Sequence, residues 1–241
     1  MLNMVGIVDS NQKIISNNLI LNYDVAQRRC YPTTGTVLTD ISANGKNGTL
    51  INGLAYNSGN GGTLLFDGTD DYVNISPVVD LNNLSQFTFS SFVKFGSNNG
   101  RALFSYGNTG VFTTDILIFL NPGTLFVQVN NGTDGSATTS YTNLTTYSNI
   151  CLVYDGSLST NADKLKLYIN GILSTLTFDA LYTVPTTTAN LTNPLCRLGS
   201  YAVTNGLFLS GNIATASIYN IALNSTQVGQ NFNAIKSRFG L

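Results

Sequence analysis

The chain has 241 residues, 43% of them hydrophobic and only 10% charged, with a formal net charge of -1 and no basic stretch to track a phosphate backbone, which excludes nucleic-acid binding. It contains no His, no Trp and no Glu, so all twelve acidic residues are Asp. That rules out His-based triads and His-bearing zinc centres, and a glycan hydrolase would have to work with two Asp about 5–9.5 Å apart.

In chain order, residues 1–17 read as an arm with weak apolar character, either a strand pairing with a neighbour or a tether. MLNMVGIVDSNQK has neither the basic start nor the continuous apolar segment of a secretory signal, so synthesis in a cytosol is expected. LILNYDV alternates, with Leu19, Leu21 and Tyr23 on one side of a half-buried strand. Arg28-Arg29 is a surface or interface pair, and Asn-Gly dipeptides at Asn44, Asn47 and Asn52 predict tight turns. From Thr63 the runs TLLFDG, DYVNIS, QFTFSSFVKF, RALFSYG, DILIFL, LFVQVNNG, NICLVYDG and KLKLYINGIL succeed one another across turn signals, which predicts an all-β sandwich. Within them, Phe87, Phe89 and Ser91 share one face and Thr88, Ser90 and Phe92 the other. Leu165, Leu167 and Ile169 point inward, Lys164, Lys166 and Tyr168 outward, and Asn170-Gly171 supplies a type I′ turn. Residues 182–194 form a Thr/Asn-rich loop. Val228, Phe232, Ile235 and Phe239 then fall at helical spacing, with a capping box at Asn224 and Gln227 and a stop at Gly240. That face docks either on its own sandwich or on a partner. The division is therefore arm 1–17, sandwich 18–222 and C-terminal helix 223–241.

The apolar run Ile116 to Leu120 is too short to span a bilayer, so no membrane insertion is expected. Cys30, Cys151 and Cys196 lie far apart with no C-x-x-C pair and read as buried reduced thiols.

The ordered set LNYD, TDISANGKNGTL, FDGTDDYV, FTFSSFVKF, NICLVYDGS, KLKLYINGIL, RLGSY and GNIATASIYNIALNSTQV resembles the concanavalin A-like lectin/laminin G-like jelly roll over roughly residues 19–229. Phe92 and Tyr147 stand where that family usually carries Trp. The opening NQKIISNNLILNYDV and the ending QNFNAIKSRFGL are similar to laminin G-like domains of tailed-phage virion proteins. The resemblance implies a non-enzymatic bacteriophage structural protein on the virion surface, as a capsid decoration or a tail or fibre component, made in the host cytoplasm. Its partners would be other virion proteins, reached through the arm and the C-terminal helix, and it would form a homo-oligomer, a trimer being the expectation. The alternative is a receptor module for host surface glycans, with Tyr106, Tyr141, Tyr182 and Tyr201, beside polar loops, as the stacking residues. The family also implies a calcium (Ca2+) site as the one cofactor. FDGTDDYV would supply Asp67, Asp70 and Asp71, and the DISANGKNG loop Asp40, Asn44 and Asn47. The competing reading of FDGTDDYV is a hairpin turn tied by its own carboxylates.

Overall fold

Alternating runs become strands because each buries one side and pairs its backbone laterally. The computed structural model describes residues 13–97 and 99–241. The first twelve positions of the predicted arm lie outside the described residues. In chain order the strands are β1 (Leu19–Asp24), β2 (Val37–Leu38), β3 (Gly48–Ile51), β4 (Ala55–Asn57), β5 (Thr63–Asp67), β6 (Tyr72–Ile75), β7 (Gln86–Phe95), β8 (Arg101–Gly107) and β9 (Ile116–Asn121). They continue with β10 (Thr124–Val129), β11 (Ser136–Ser140), β12 (Ser148–Asp155), β13 (Leu165–Ile169), β14 (Ile172–Ser174), β15 (Thr177–Phe178), β16 (Leu195–Leu198) and β17 (Ser210–Tyr219). A one-turn helix, α1 (Asn161–Lys164), precedes β13, and α2 (Ser225–Ile235) follows β17. No helix among the described residues is long and apolar enough to cross a membrane.

All the pairings are antiparallel and give two sheets. An eight-stranded sheet runs β14-β13-β12-β7-β17-β5-β4, with β1 also on β17, and a nine-stranded sheet runs β15-β11-β10-β9-β8-β16-β6-β3-β2. The sheets stack as a sandwich, the predicted jelly-roll architecture. Phe87, Phe89, Val93 and Phe95 of β7 meet Phe104, Ile118, Leu120 and Leu125 of the facing sheet in one core. Phe89 stacks on Phe104 across the interface at 4.4 Å between ring centres. Each such side chain contributes roughly 1.5–3 kcal/mol when fully buried.

Two turn assignments change and one holds. Asp67-Gly68 closes no hairpin: β5 belongs to the eight-stranded sheet and β6 to the nine-stranded one, so FDGTDDYV carries the chain from one sheet to the other. Asn47-Gly48 makes no turn either; Gly48 opens β3, where a Cβ would stand 2.5 Å from Val73. Asn170-Gly171 does close β13 onto β14, with φ of 53° and 75° as a type I′ turn requires. Lys164, expected outward, is buried, because its ammonium donates to the Val184 carbonyl at 2.9 Å.

The other face of β7 explains its two-sided aromatics. Phe92 is buried, not by the core but by the C-terminal segment: Phe232 lies 6.0 Å from it and Phe239 4.8 Å, both nearly parallel. Tyr147 meets the same Phe239 at 4.5 Å. Both aromatics standing at the family's Trp positions thus hold the chain's own C-terminal segment. Asn224 and Gln227 form the predicted capping box, and Gly240 ends the final turn at Lys236–Phe239 in the left-handed conformation. The end of the arm joins this layer. The Ile15 amide donates to Asn231 Oδ1 (2.7 Å), Tyr219 donates its hydroxyl to the Ile15 carbonyl (3.0 Å), and Gln230 reaches the Lys13 carbonyl (2.8 Å). The ion pair Arg238–Asp24 (2.7 Å) anchors the last turn beside β1.

Candidate functional site

The eight-stranded sheet has its outer face covered by α2. On the nine-stranded sheet, alternation in β10 sends Leu125, Val127 and Val129 to the core and leaves Phe126 and Gln128 outside. Across neighbouring strands the register aligns Ala102, Phe119, Phe126, Thr138 and Thr177 in one outer row. Phe119 and Phe126 are half-buried, 4.9 Å apart, and form an aromatic stripe. Beside it lies a shallow groove of about 360 Å³ lined by Phe126, Ser136, Thr138, Thr177, Asp179 and Tyr182. Tyr182 is exposed and held by a turn: its amide donates to the Asp179 carbonyl (3.1 Å), and Asn161 donates to the Tyr182 carbonyl (2.9 Å). The groove therefore combines flat aromatic faces, four hydroxyls and one carboxylate, with no cation among its lining residues.

Of the four tyrosines singled out by sequence, Tyr182 alone is exposed. Tyr106 is buried and donates to Asn82 Oδ1 at 2.9 Å; Tyr141 is buried edge-on against Phe95. Tyr201 is buried and donates to Asp115 Oδ2 at 2.5 Å. These three cannot stack on a ligand: Tyr106 points into the core from β8, and the segments that bear Tyr141 and Tyr201 fold back over the sandwich. Phe119, Phe126, Thr138 and Asp179 were not singled out by sequence, although an aromatic on the polar side of an alternating strand was a readable signal.

Asp115 is the other polar centre of this face. It is buried and accepts from Tyr201, Gln128 (2.7 Å) and Asn130 (3.0 Å), with no cation beside it. Burial raises its pKa above the ordinary carboxylate value, against the lowering effect of those three donors.

The six predicted metal ligands do not converge. Asp40 Oδ1 accepts from the amides of Asn22 and Ser42, both at 2.9 Å, and Oδ2 from Ser42 Oγ (2.8 Å) and the Lys46 amide (3.1 Å). Asn47 Oδ1 accepts the Asp40 amide, and Asn44 donates to the Leu19 carbonyl. Those three residues stitch their own loop at the Gly48 end of the β3–β6 ladder, whereas Asp70 and Asp71 precede Tyr72 at its Ile51 end. The ladder is four residues long, about 10 Å, which separates the two sets.

Asp67, Asp70 and Asp71 do come together, each with a carboxylate oxygen within 4.8 Å of the others. Asp71 is buried; its Oδ2 accepts the Asp67 amide (3.1 Å) and its Oδ1 has no partner. Burial, and then the neighbouring charges of Asp67 and Asp70, raise its pKa, while the Asp67 amide lowers it. Three carboxylates, one of them buried with an unpartnered oxygen, suit a calcium-type ion completed by backbone carbonyls and water.

The remaining features are structural. All three cysteines are buried and free, and burial pushes each thiol up to about 12. Arg28 and Arg29 are exposed and bond only to nearby residues. The loop 182–194 is pinned by Thr188, which donates to the Leu81 carbonyl and accepts the Leu84 amide.

Fold and site together define a lectin-like β-sandwich whose nine-stranded sheet is covered on its outer face around Ala102 and Leu117 by Tyr201 and Val203 and open beyond them at Phe126 and Thr138. A family profile described as the concanavalin A-like lectin/glucanases superfamily matches residues 67–229, and the chain belongs to that superfamily. Comparison with curated protein sequences finds no match. Among solved structures, the binding domain of Paraclostridial Mosquitocidal Protein 1 is similar with a TM-score of 0.66 and 17% identity, over 91% of this chain and 52% of that one. Domain 4 of AbnA, an extracellular GH43 arabinanase from Geobacillus stearothermophilus solved with arabinotriose, gives 0.62 and 18%, over 89% and 98%. A structure of botulinum neurotoxin type C, whose cell entry depends on interaction with two ganglioside molecules, gives 0.64 and 15%, over 92% and 52%. The chain spans about half the length of the toxin domains it matches. At these identities the likeness is one of fold.

Proposed function

We propose that the protein is a non-catalytic carbohydrate-binding module displayed on a virion surface. The open face of the nine-stranded sheet carries this reading: an aromatic stripe at Phe119 and Phe126, with Tyr182 at its margin, bordered by Ser136, Thr138, Thr177 and Asp179. Sugars present apolar ring faces and outward hydroxyls, and this surface offers the complement of both. The arabinanase domain in complex with arabinotriose and the ganglioside-dependent toxin support the ligand class. Asp179 is the one carboxylate lining the groove, whereas hydrolysis needs two across the scissile bond, which favours binding over catalysis.

Support for the virion setting comes from the two terminal segments that resemble tailed-phage proteins. Their described parts bond to one another over the eight-stranded sheet, away from the open face. Attachment through that layer, in a symmetric oligomer, leaves the other sheet free to meet host glycans. The test is a glycan array with the purified chain beside Tyr182→Ala and Phe126→Ala. Either substitution should weaken the wild-type signal about tenfold, equivalent to about 1.4 kcal/mol. Binding that survives both substitutions would refute this site. Silence of the wild type on a broad array, with the protein found in purified particles, would leave a scaffold without a receptor role.

A further inference from the structure

Arg197 stands on the same sheet, on β16 between β8 and β6, opposite Ser105 and Asn74. Its neighbours Cys196 and Leu198 point into the core, so its side chain rises on the outer face. There it is 8% exposed, with its guanidinium carbon 4.3 Å from the centre of the Tyr72 ring. Nη1 donates to Asn205 Oδ1 at 2.7 Å and to Ser200 Oγ at 3.5 Å. Nε is buried with no partner, and Nη2, which makes no hydrogen bond within the chain, is the nitrogen left toward the surface. Among the described residues the one ion pair is Arg238–Asp24, so this charge has no carboxylate of its own. A largely desolvated cation without a counter-charge is costly, and an arriving anion recovers that cost.

We propose that Arg197, with Tyr72 and Phe208, forms a subsite that takes the carboxylate of an acidic saccharide. The inference rests on the carbohydrate reading above and names the class of sugar. Tyr72 and Phe208 are half-buried with ring centres 6.4 Å apart, a place for a ring face beside the guanidinium. A sugar fits better than a peptide because β6 and β16 each have a strand on both sides, leaving no free ladder for a main chain to join. The subsite on β16 and the groove at β11 are four strands apart, about 19 Å.

The experiment is calorimetric titration of the full chain with hyaluronan tetrasaccharide, an oligogalacturonide and sialyllactose, each paired with its carboxyl-reduced form. The wild type should bind at least one acidic member about tenfold or more tighter than its reduced counterpart, the scale of a charge-assisted hydrogen bond. Asn205→Asp supplies an internal carboxylate to the guanidinium; position 205 has φ of 51°, which Asp tolerates. That variant should keep the binding of the reduced sugar, lose the acidic preference and melt no lower than the wild type. Arg197→Gln should lose the same preference, and the Asp variant decides the matter if the Gln variant does not fold. Equal affinity of the wild type for acidic and reduced forms overturns the subsite and leaves the carbohydrate reading standing, as does an acidic preference that survives in Asn205→Asp. Failure to bind either form of any pair overturns the subsite, and together with silence on the glycan array it overturns the carbohydrate reading as well.

Discussion

Replacing Phe92 by Ala removes the ring on which the C-terminal segment rests. Phe92 is 1% exposed and flanked by Phe232 and Phe239 in near-parallel stacks at 6.0 and 4.8 Å. Large-to-small substitutions of this type cost about 3–5 kcal/mol, and each aromatic pair adds about 0.5–1.5 kcal/mol to simple burial. The two partners lie on a terminal segment that can settle into the gap, so the low end applies, about 3 kcal/mol. For a domain of this size that lowers the melting temperature by about 6–12 °C. The assay is thermal unfolding followed by circular dichroism, with limited trypsin digestion as a second readout at Lys236 and Arg238. Cleavage there should accelerate in the variant, because those residues leave the sheet together with Phe239. Phe119→Ala is the control: it is an aromatic of the same kind, half-buried on the open face, and should cost less than half as much. A drop below about 2 °C for Phe92→Ala, or one as large for Phe119→Ala, would refute the conclusion that the covered face of β7 holds the C-terminal segment.

Two further outcomes follow from the buried carboxylates. Because burial raises the Asp115 pKa, the folded chain keeps that proton to higher pH than the unfolded chain does. Its contribution to stability is full at acid pH and falls as pH rises from about 4 through the raised value. Asp115→Asn removes that slope, so its melting temperature relative to wild type should improve with rising pH; a difference independent of pH would count against the argument. At FDGTDDYV, a bound cation stabilises the fold by mass action, about 2.7 kcal/mol at a hundredfold excess over Kd. Added calcium should therefore raise the melting temperature and chelator lower it, and Asp71→Asn should abolish both shifts. Indifference of the wild type to calcium and chelator alike would leave the three carboxylates as turn chemistry.

Much of the fold was legible. The helical face of Val228, Phe232 and Ile235, its capping box and the type I′ turn at Asn170-Gly171 stand as read, because each depends on residues a few positions apart, whereas Phe239 sits in a 3-10 turn that follows the end of α2 at Ile235. The candidate site was read less well. A tyrosine in or beside a polar loop looks exposed, but Tyr106 faces the core from β8 and donates to Asn82, and Tyr201 is buried and donates to Asp115, partners distant in sequence. Lys164 looked like a solvent lysine until the Val184 carbonyl, twenty residues on, received its ammonium.

FDGTDDYV shows where the division falls. Its composition by itself determined that the segment turns, that it gathers three carboxylates, and that a strand follows at Tyr72. Only the tertiary structure decided that the turn crosses between sheets, that Asp71 is buried with an unpartnered oxygen, and that the Asp40 loop lies at the far end of the ladder. Local periodicity is set by the alternation of the backbone. Which loop covers which face, and which charge is left without a partner, depends on contacts across more than a hundred positions, as between Phe92 and Phe239.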